Sequence, residues 1–266
     1  MDKATFNTLL NHVRGIIYKN NTKLREAISE QKRLIATLRF LVTGRSYEDL
    51  KFSCAISPQL LGRIIPETCV AVFEELKTEY LKFPTSSADW MNIAQDFKTL
   101  WQIENCLGSM DGKFIEINKQ NDSGAYFYNY EGFFSVVLFA MVNAQYELIY
   151  IHCGTNGRIS DGGILQETDV YDMFGNNSLN IPFPGSFTGC RNVTLPFTLV
   201  AKKKKTISHD EKIFIYRISR ARRVVENTFG IMCSRFRCLL TCLGMHVGKV
   251  DSIVLACFVL HKKEKS

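Results

Sequence analysis

The sequence predicts a helical region over residues 1–105, followed by an α/β domain over residues 106–261. Three observations predict it. Apolar residues recur at helical spacing as far as Trp101, with helix-opening signals at Ser29, Ser46, Ser57-Pro58 and Ser86. Composition then changes to alternating and continuous apolar runs rich in β-branched residues. Beyond these, helix-like and strand-like segments succeed one another, the order of an α/β arrangement. Among the 266 residues, 46% are apolar, enough to bury one large core or two modest ones.

In the first region, Phe6, Leu9, Leu10, Val13, Ile16 and Ile17 form the stripe of an opening helix. Ser29 is the expected N-cap of a second helix, with the stripe Leu34, Ile35, Leu38, Leu41 and Val42 and with Gly44 just past its end. Ser46 and Asp49 make a capping box ahead of a short helix over Tyr47–Phe52. Ser57 and Pro58 then start another, with proline at its favoured first position. Helix, short helix, tight turn and helix is the spacing of a helix-turn-helix, whose second helix can lie in a DNA major groove. Gln59 and Arg63, four apart on that helix, are the expected DNA-facing side chains. Pro66 is expected to bend or restart the helix before Glu67–Tyr80. Ser86–Asp89 is a further box, leading to a helix that reaches Trp101.

In the second region, Gly112–Asn118, Phe133–Val142 and Tyr146–Cys153 read as three strands. A hairpin-sized Asn143-Ala-Gln joins the last two and suggests an antiparallel meander. A short helix over 161–173, a strand over Leu195–Ala201 and a long basic helix over Tyr216–Met232 complete a pattern compatible with a ribonuclease-H-like mixed sheet flanked by helices.

Charge and composition narrow the functional classes. The net charge is +7, with basic residues gathered in Lys23–Arg45, Lys202–Lys205 and Arg217–Arg237. Such surfaces draw polyanions, although solvated helix faces have the same composition. No apolar run is long enough to span a bilayer, so no membrane partner is expected. Nine cysteines without a secretory leader read as reduced thiols of the cytoplasm or nucleus. No pair has Cys-x-x-Cys spacing, and Cys238 and Cys242 are expected to be buried small apolar residues.

Two carboxylates draw attention. Asp111, between Met110 and Gly112, stands at the expected start of the first strand and can face a metal, although Asp-Gly is most often a turn. Glu226 lies within SRARRVVENTFGIM, where Val224, Val225 and Phe229 place the helix against the core. Arg222, four residues earlier, offers it a local ion pair. Arg222, Arg223, Arg235 and Arg237 suit a face that tracks phosphates, with helix solvation as the alternative.

In order along the chain, CLGSMDGKFIEI, the block SGAYFYNYEGFFSVVLFAMVNAQYELIYIHCGTNGRISDGGI and IFIYRISRARRVVENTFGIMCSRFR resemble the Harbinger-type transposases and the Harbinger transposase-derived nucleases. The upstream RLIATLRFLVTGRSYEDLKFSCAIS is similar to the helix-turn-helix region of that family, and VLACFVLH to its closing helix. The resemblance implies a ribonuclease-H-like endonuclease whose Asp-Asp-Glu set holds Mg²⁺ or Mn²⁺ and cuts DNA phosphodiesters. It also implies a nuclear location and a Myb-like protein partner. Asp111 matches the first family carboxylate and Glu226 the last.

The second carboxylate has no counterpart. In the family it follows an apolar strand, which Leu195–Ala201 resembles, yet Lys202–Lys205 comes next and Ala201 stands only 25 positions before Glu226. A deletion beside that strand is the simpler reading. A second alignment sets Cys190, 36 positions before Glu226, where the aspartate would be. A soft thiolate suits Mg²⁺ poorly, and lysines would repel it. Asp161, in GRISDGG, matches a family Ser-Asp motif and is a further candidate ligand. Phe114 replaces the usual family histidine. Together these departures point to an impaired nuclease, with a catalytically inactive DNA- or partner-binding protein as the alternative.

Overall fold

The computed structural model describes residues 1–23, 26–159, 161–186, 194–201 and 209–263, with the backbone alone for 161–162, 185–186 and 209–215. Helices α1 (Lys3–Ile17), α2 (Glu30–Thr43), α3 (Tyr47–Cys54), α4 (Pro58–Tyr80) and α5 (Ser87–Trp101) come first. Strands β1 (Cys106–Glu116), β2 (Ser135–Val142) and β3 (Leu148–Asn156) follow. Then come α6 (Asp161–Gln166), α7 (Asp169–Gly175), β4 (Gly185–Ser186), β5 (Thr194–Leu195), β6 (Thr198–Val200), α8 (His209–Arg235) and α9 (Val247–Lys263). The result is a mixed α/β fold with a four-stranded mixed sheet and flanking helices. Residues Met1–Leu81, Ile115–Val136 and Met232–Ser266 make one compact unit, and Lys82–Phe114 with Val137–Ile231 make the other.

In the first unit, α4 packs most extensively along α9. From Ile253 to Leu260, α9 is apolar nearly all round, so burial on most sides is its stable placement. The caps read from sequence form. Ser29 accepts from the Lys32 amide, Ser46 from the Asp49 amide, and Gly44 ends α2 in the left-handed region at φ 63°. Two expected stripe residues differ: Ile16 and Val42 are exposed, while Arg33 and Thr37 take buried places on α2. Buried Arg33 is matched by Glu67 of α4, 2.5 Å from its Nη2.

Pro66 neither ends nor restarts its helix, because α4 runs continuously through it. Proline removes the amide that would bond the Gly62 carbonyl one turn back. Lys249 Nζ of α9 supplies a replacement donor to that carbonyl at 3.3 Å. The ring itself is buried, so its apolar surface adds to the core.

The second unit is built on the sheet, with strand order β3-β2-β1-β6. Asn143 organises the β2–β3 hairpin, its Oδ1 accepting from the amides of Gln145 and Glu147. Strand β1 begins earlier than its alternating segment suggested. Cys106–Met110 is buried throughout, and such a run carries no period-two signal. Asp111 therefore sits inside the strand and not at its start or in a turn. The single helix expected over 161–173 is two, since Thr168 caps α7 with its side chain. Pro196 separates β5 from β6, which shortens the strand expected over Leu195–Ala201. Strand β6 is parallel to β1, pairing Thr198 with Cys106, Leu199 with Gly108 and Val200 with Ser109. Close packing makes Gly108 necessary, since a Cβ there would lie 3.0 Å from Met141 Cγ. The capping box of Ser86 and Asp89 forms, and Trp90 of α5 is wholly buried with its indole N–H donating to the Leu179 carbonyl at 2.7 Å.

Gly44 gives a direct test. A Cβ there would meet the Arg237 carbonyl oxygen at 2.9 Å, in a backbone region that L residues avoid. Gly44→Ala should cost about 2 kcal/mol or more, read as a lower urea midpoint with unchanged slope. Gly15→Ala, where the added methyl meets nothing within 4 Å, should instead stabilise by about 0.5–1 kcal/mol.

Candidate functional site

Side chains of residues 109 and 111 leave β1 on the same face, because successive strand residues alternate. Ser109 is wholly buried, and its Oγ finds no hydrogen-bond partner among the described residues. Asp111 is 12% exposed at its side chain. The rest of β1 fixes both, with Cys106 and Leu107 at zero exposure. Burial pushes the Cys106 thiol up to about 12, so it packs as an apolar residue and does not act as a nucleophile.

Helix α8 meets this strand from elsewhere in the sequence. Its inner face is Ala221, Val224, Val225 and Phe229, all buried. One helical turn separates Arg222 from Glu226, which places them together on the border of that face. Nη2 of Arg222 donates to Asp111 Oδ2 at 3.2 Å and also to Glu226 Oε1. Asp111 and Glu226 stand 115 positions apart in the chain. Sharing one donor nitrogen holds their oxygens within about 6 Å, two hydrogen-bond lengths. Glu226 is 45% exposed, so burial is not what the carboxylate answers to, contrary to the expectation from its apolar neighbours. The apolar side chains turn inward while Glu226 turns to the rim.

Charge at the site is unbalanced: two carboxylates face one guanidinium. The Nε of Arg222 is buried and finds no acceptor among the described residues. Strand β6 approaches the same place, as Val200 pairs with Ser109, two residues before Asp111. The residues that follow β6 in sequence, Lys202–Lys205, lie outside the described residues, as does Cys190.

Hard carboxylate oxygens are the donors Mg²⁺ and Mn²⁺ prefer, and Mg²⁺ commonly takes only one or two carboxylates besides water and substrate phosphate. In donor chemistry, Asp111 and Glu226 fit such an ion. No group of three or more acidic, histidine or cysteine side chains able to hold a metal occurs among the described residues. Arg222 stands where the two carboxylates would share a cation.

Gln59 and Arg63 are both exposed on α4. Arg223 is exposed on α8 beside Arg222. Arg235 and Arg237 belong to the first unit, where Arg235 Nη1 is 3.4 Å from His261 Nδ1 and Arg237 opens a 3-10 turn. Asp161 begins α6, with its side chain outside the described residues. Phe114 packs against the core of the second unit, an apolar use of the position. Cys238 is buried as expected, but Cys242 is exposed, its thiol donating to Asn118 Oδ1 at 3.1 Å. No helix among the described residues is long and apolar enough to cross a membrane. From the sequence, Arg222 is expected as the helical partner of Glu226 and as part of a phosphate-tracking face, not as a partner of Asp111. Spacing of four discloses the Glu226 half of its bonding, whereas the contact with Asp111 depends on how α8 meets β1.

Residues 110–262 match the DDE superfamily endonuclease family. Over 254 residues the chain is 24% identical to HARBI1 of Rattus norvegicus, a candidate nuclease by name, covering 93% of this chain and 70% of that protein. The Bos taurus protein of the same name is 24% identical over 250 residues, with the same two shares. The Homo sapiens one is 23% identical over 243 residues, covering 90% of this chain and 68% of its own. No solved structure matches the chain.

The two halves of the bridge should differ in worth. Asp111→Asn leaves Arg222 facing a neutral amide in a mostly buried place, and should lower stability by about 1–3 kcal/mol. Glu226→Gln breaks an exposed helical pair and should cost about 0.5 kcal/mol or less. Urea denaturation of both variants checks the order, and equal losses would contradict it.

Proposed function

Because the chain belongs to the DDE superfamily of endonucleases, we propose that it is a transposase-derived, divalent-metal-dependent DNA endonuclease of low activity, with Asp111 and Glu226 as its carboxylate pair. The observation that carries this reading is the meeting of those two side chains on one guanidinium nitrogen. Strand order β3-β2-β1-β6, with β1 and β6 parallel, supports a ribonuclease-H-like sheet carrying the pair.

Roles follow from the setting of each residue. Asp111 projects from a packed strand and cannot wander, so it fixes the position of whatever it binds. Glu226 comes from the rim of α8, exposed enough to exchange partners. When bound, Mg²⁺ or Mn²⁺ supplies Lewis acidity and an activated water for in-line attack on a phosphodiester. Arg223 lies next to the pair on α8 and suits a DNA phosphate. On the helical side, α3, the turn over residues 55–57 and α4 are read as a helix-turn-helix, with Gln59 and Arg63 toward DNA. Arg235 and Arg237 extend the basic surface. A nuclear location and a Myb-like partner accord with this reading.

A second reading is favoured by a specific observation. Arg222 holds the place between the carboxylates, and no third ligand joins them among the described residues. On that ground the chain is a DNA-binding protein on an endonuclease scaffold, without catalysis.

Supercoiled plasmid separates the two. The endonuclease reading expects slow nicking that needs Mg²⁺ or Mn²⁺, stops with EDTA, and falls by about a hundredfold or more in Asp111→Asn and in Glu226→Gln, since losing about 2.7 kcal/mol of transition-state stabilisation has that effect. Nicking that is absent at every metal concentration, or unchanged in both variants, rejects it. The binding reading then expects DNA affinity that falls steeply with salt and survives Asp111→Asn.

A further inference from the structure

We infer that Arg222 is a built-in counter-ion that competes with divalent metal for Asp111 and Glu226, so that the site admits a metal ion only when this guanidinium turns away. The inference rests on the carboxylate pair proposed above as the metal-holding residues, and it concerns what controls that pair.

Four observations carry it. First, a single nitrogen of Arg222 is divided between both carboxylates. A guanidinium held purely for structure would gain more from a parallel two-nitrogen fork on one carboxylate. Here it instead stands between two anions, the place a shared cation takes. Second, Arg222 makes this bridge while its Nε is buried without an acceptor among the described residues. Leaving that N–H unmet costs free energy, which lowers the barrier to swinging the side chain out. Third, Glu226 is 45% exposed and Arg222 26%, so the outer half of the bridge can open to water without disturbing the core. Fourth, Ser109 is wholly buried on the same strand face as Asp111, and its Oγ also lacks a partner among the described residues. The environment is thus built with a polar group to spare, which the ion pairs alone do not use.

The electrostatic consequence has a definite sign. With Arg222 in place, an arriving dication meets a cluster whose net charge is −1, and it must displace a fixed positive charge. With Arg222 replaced by a neutral side chain, the cluster carries −2. Metal binding by the wild-type chain should therefore be weak and should strengthen when the arginine is removed, opposite to the loss expected if Arg222 merely propped up the site.

The test uses the full-length protein titrated with Mn²⁺, following free ion by electron paramagnetic resonance, so that no catalytic readout enters. Arg222→Gln should bind one Mn²⁺ about tenfold or more tighter than wild type, as removing one positive charge at contact distance predicts. Adding Asp111→Asn to it should abolish the gain. Thermal melts should show a larger Mn²⁺-dependent rise in Tm for Arg222→Gln than for wild type. If Arg222→Gln does not melt cooperatively, Arg222→Met, which keeps the apolar packing of the stem, should give the same gain. Two outcomes overturn the proposal and differ in reach. Binding that is measurable but no tighter in the folded variant rejects the competition and leaves the endonuclease reading standing. No Mn²⁺ binding by wild type or by the folded variant rejects both.

Discussion

One guanidinium shared by two carboxylates ties the middle of a buried strand to the rim of a helix that lies more than a hundred residues away in sequence. The two bonds contribute unequally. The link from Arg222 to Glu226 is an exposed one-turn helical pair, worth about 0.3–0.5 kcal/mol. The link from Arg222 to Asp111 is more shielded, and a buried carboxylate left unmatched is expensive. Asp111 therefore needs Arg222 more than Glu226 does. Asp111 secures Arg222, and Arg222 brings Glu226 to the same spot.

Much of this organisation was legible in local chemistry. Ser29, Ser46 and Ser86 each cap the helix their spacing implied, and Gly44 ends one in the left-handed region. Where the structure departs from the local pattern, the causes are a nonlocal contact, continuous burial and a side-chain cap. Pro66 was expected to bend or restart a helix, but the orphaned Gly62 carbonyl finds Lys249 from the far end of the chain. Burial of Cys106–Met110 hid the first half of β1, because a continuous apolar run looks the same in a strand or a buried helix. Thr168 split an expected helix through a side-chain cap whose energy is small but sufficient at a helix end. At the site, Asp111 and Glu226 each stand out from their local sequence, but only the resemblance pairs them, since neither spacing nor composition does so. The sequence offers Arg222 as a neighbour of Glu226 and a candidate phosphate contact, and nothing local points to its bond with Asp111.

Strand β6 is registered against the part of β1 that leads to Asp111. Its parallel pairing ends with Val200 against Ser109, two residues before Asp111. In sequence, Lys202–Lys205 follow β6. Removing a negative charge from a metal cage lowers its attraction for a dication and leaves the remaining carboxylates easier for a single positive charge to satisfy. Two carboxylates and one guanidinium leave a net charge of −1, whereas three and one would leave −2.

The same charge count bears on how the fold stands without a metal ion. An empty cluster of acidic side chains destabilises the protein around it through mutual repulsion, and a full Asp-Asp-Glu cage depends on its metal to relieve that strain. A pair partly offset from within by one positive charge depends less on an ion. Arg222 can then serve the folded state whether or not metal is present, and the features that make it a good internal partner are the ones that oppose a metal: fixed charge, reach from the adjacent turn and contact with both anions. Structural self-sufficiency and catalytic readiness thus pull on one side chain in opposite directions. The exposure of Glu226, the outer end of the bridge, determines how easily the balance can shift between them.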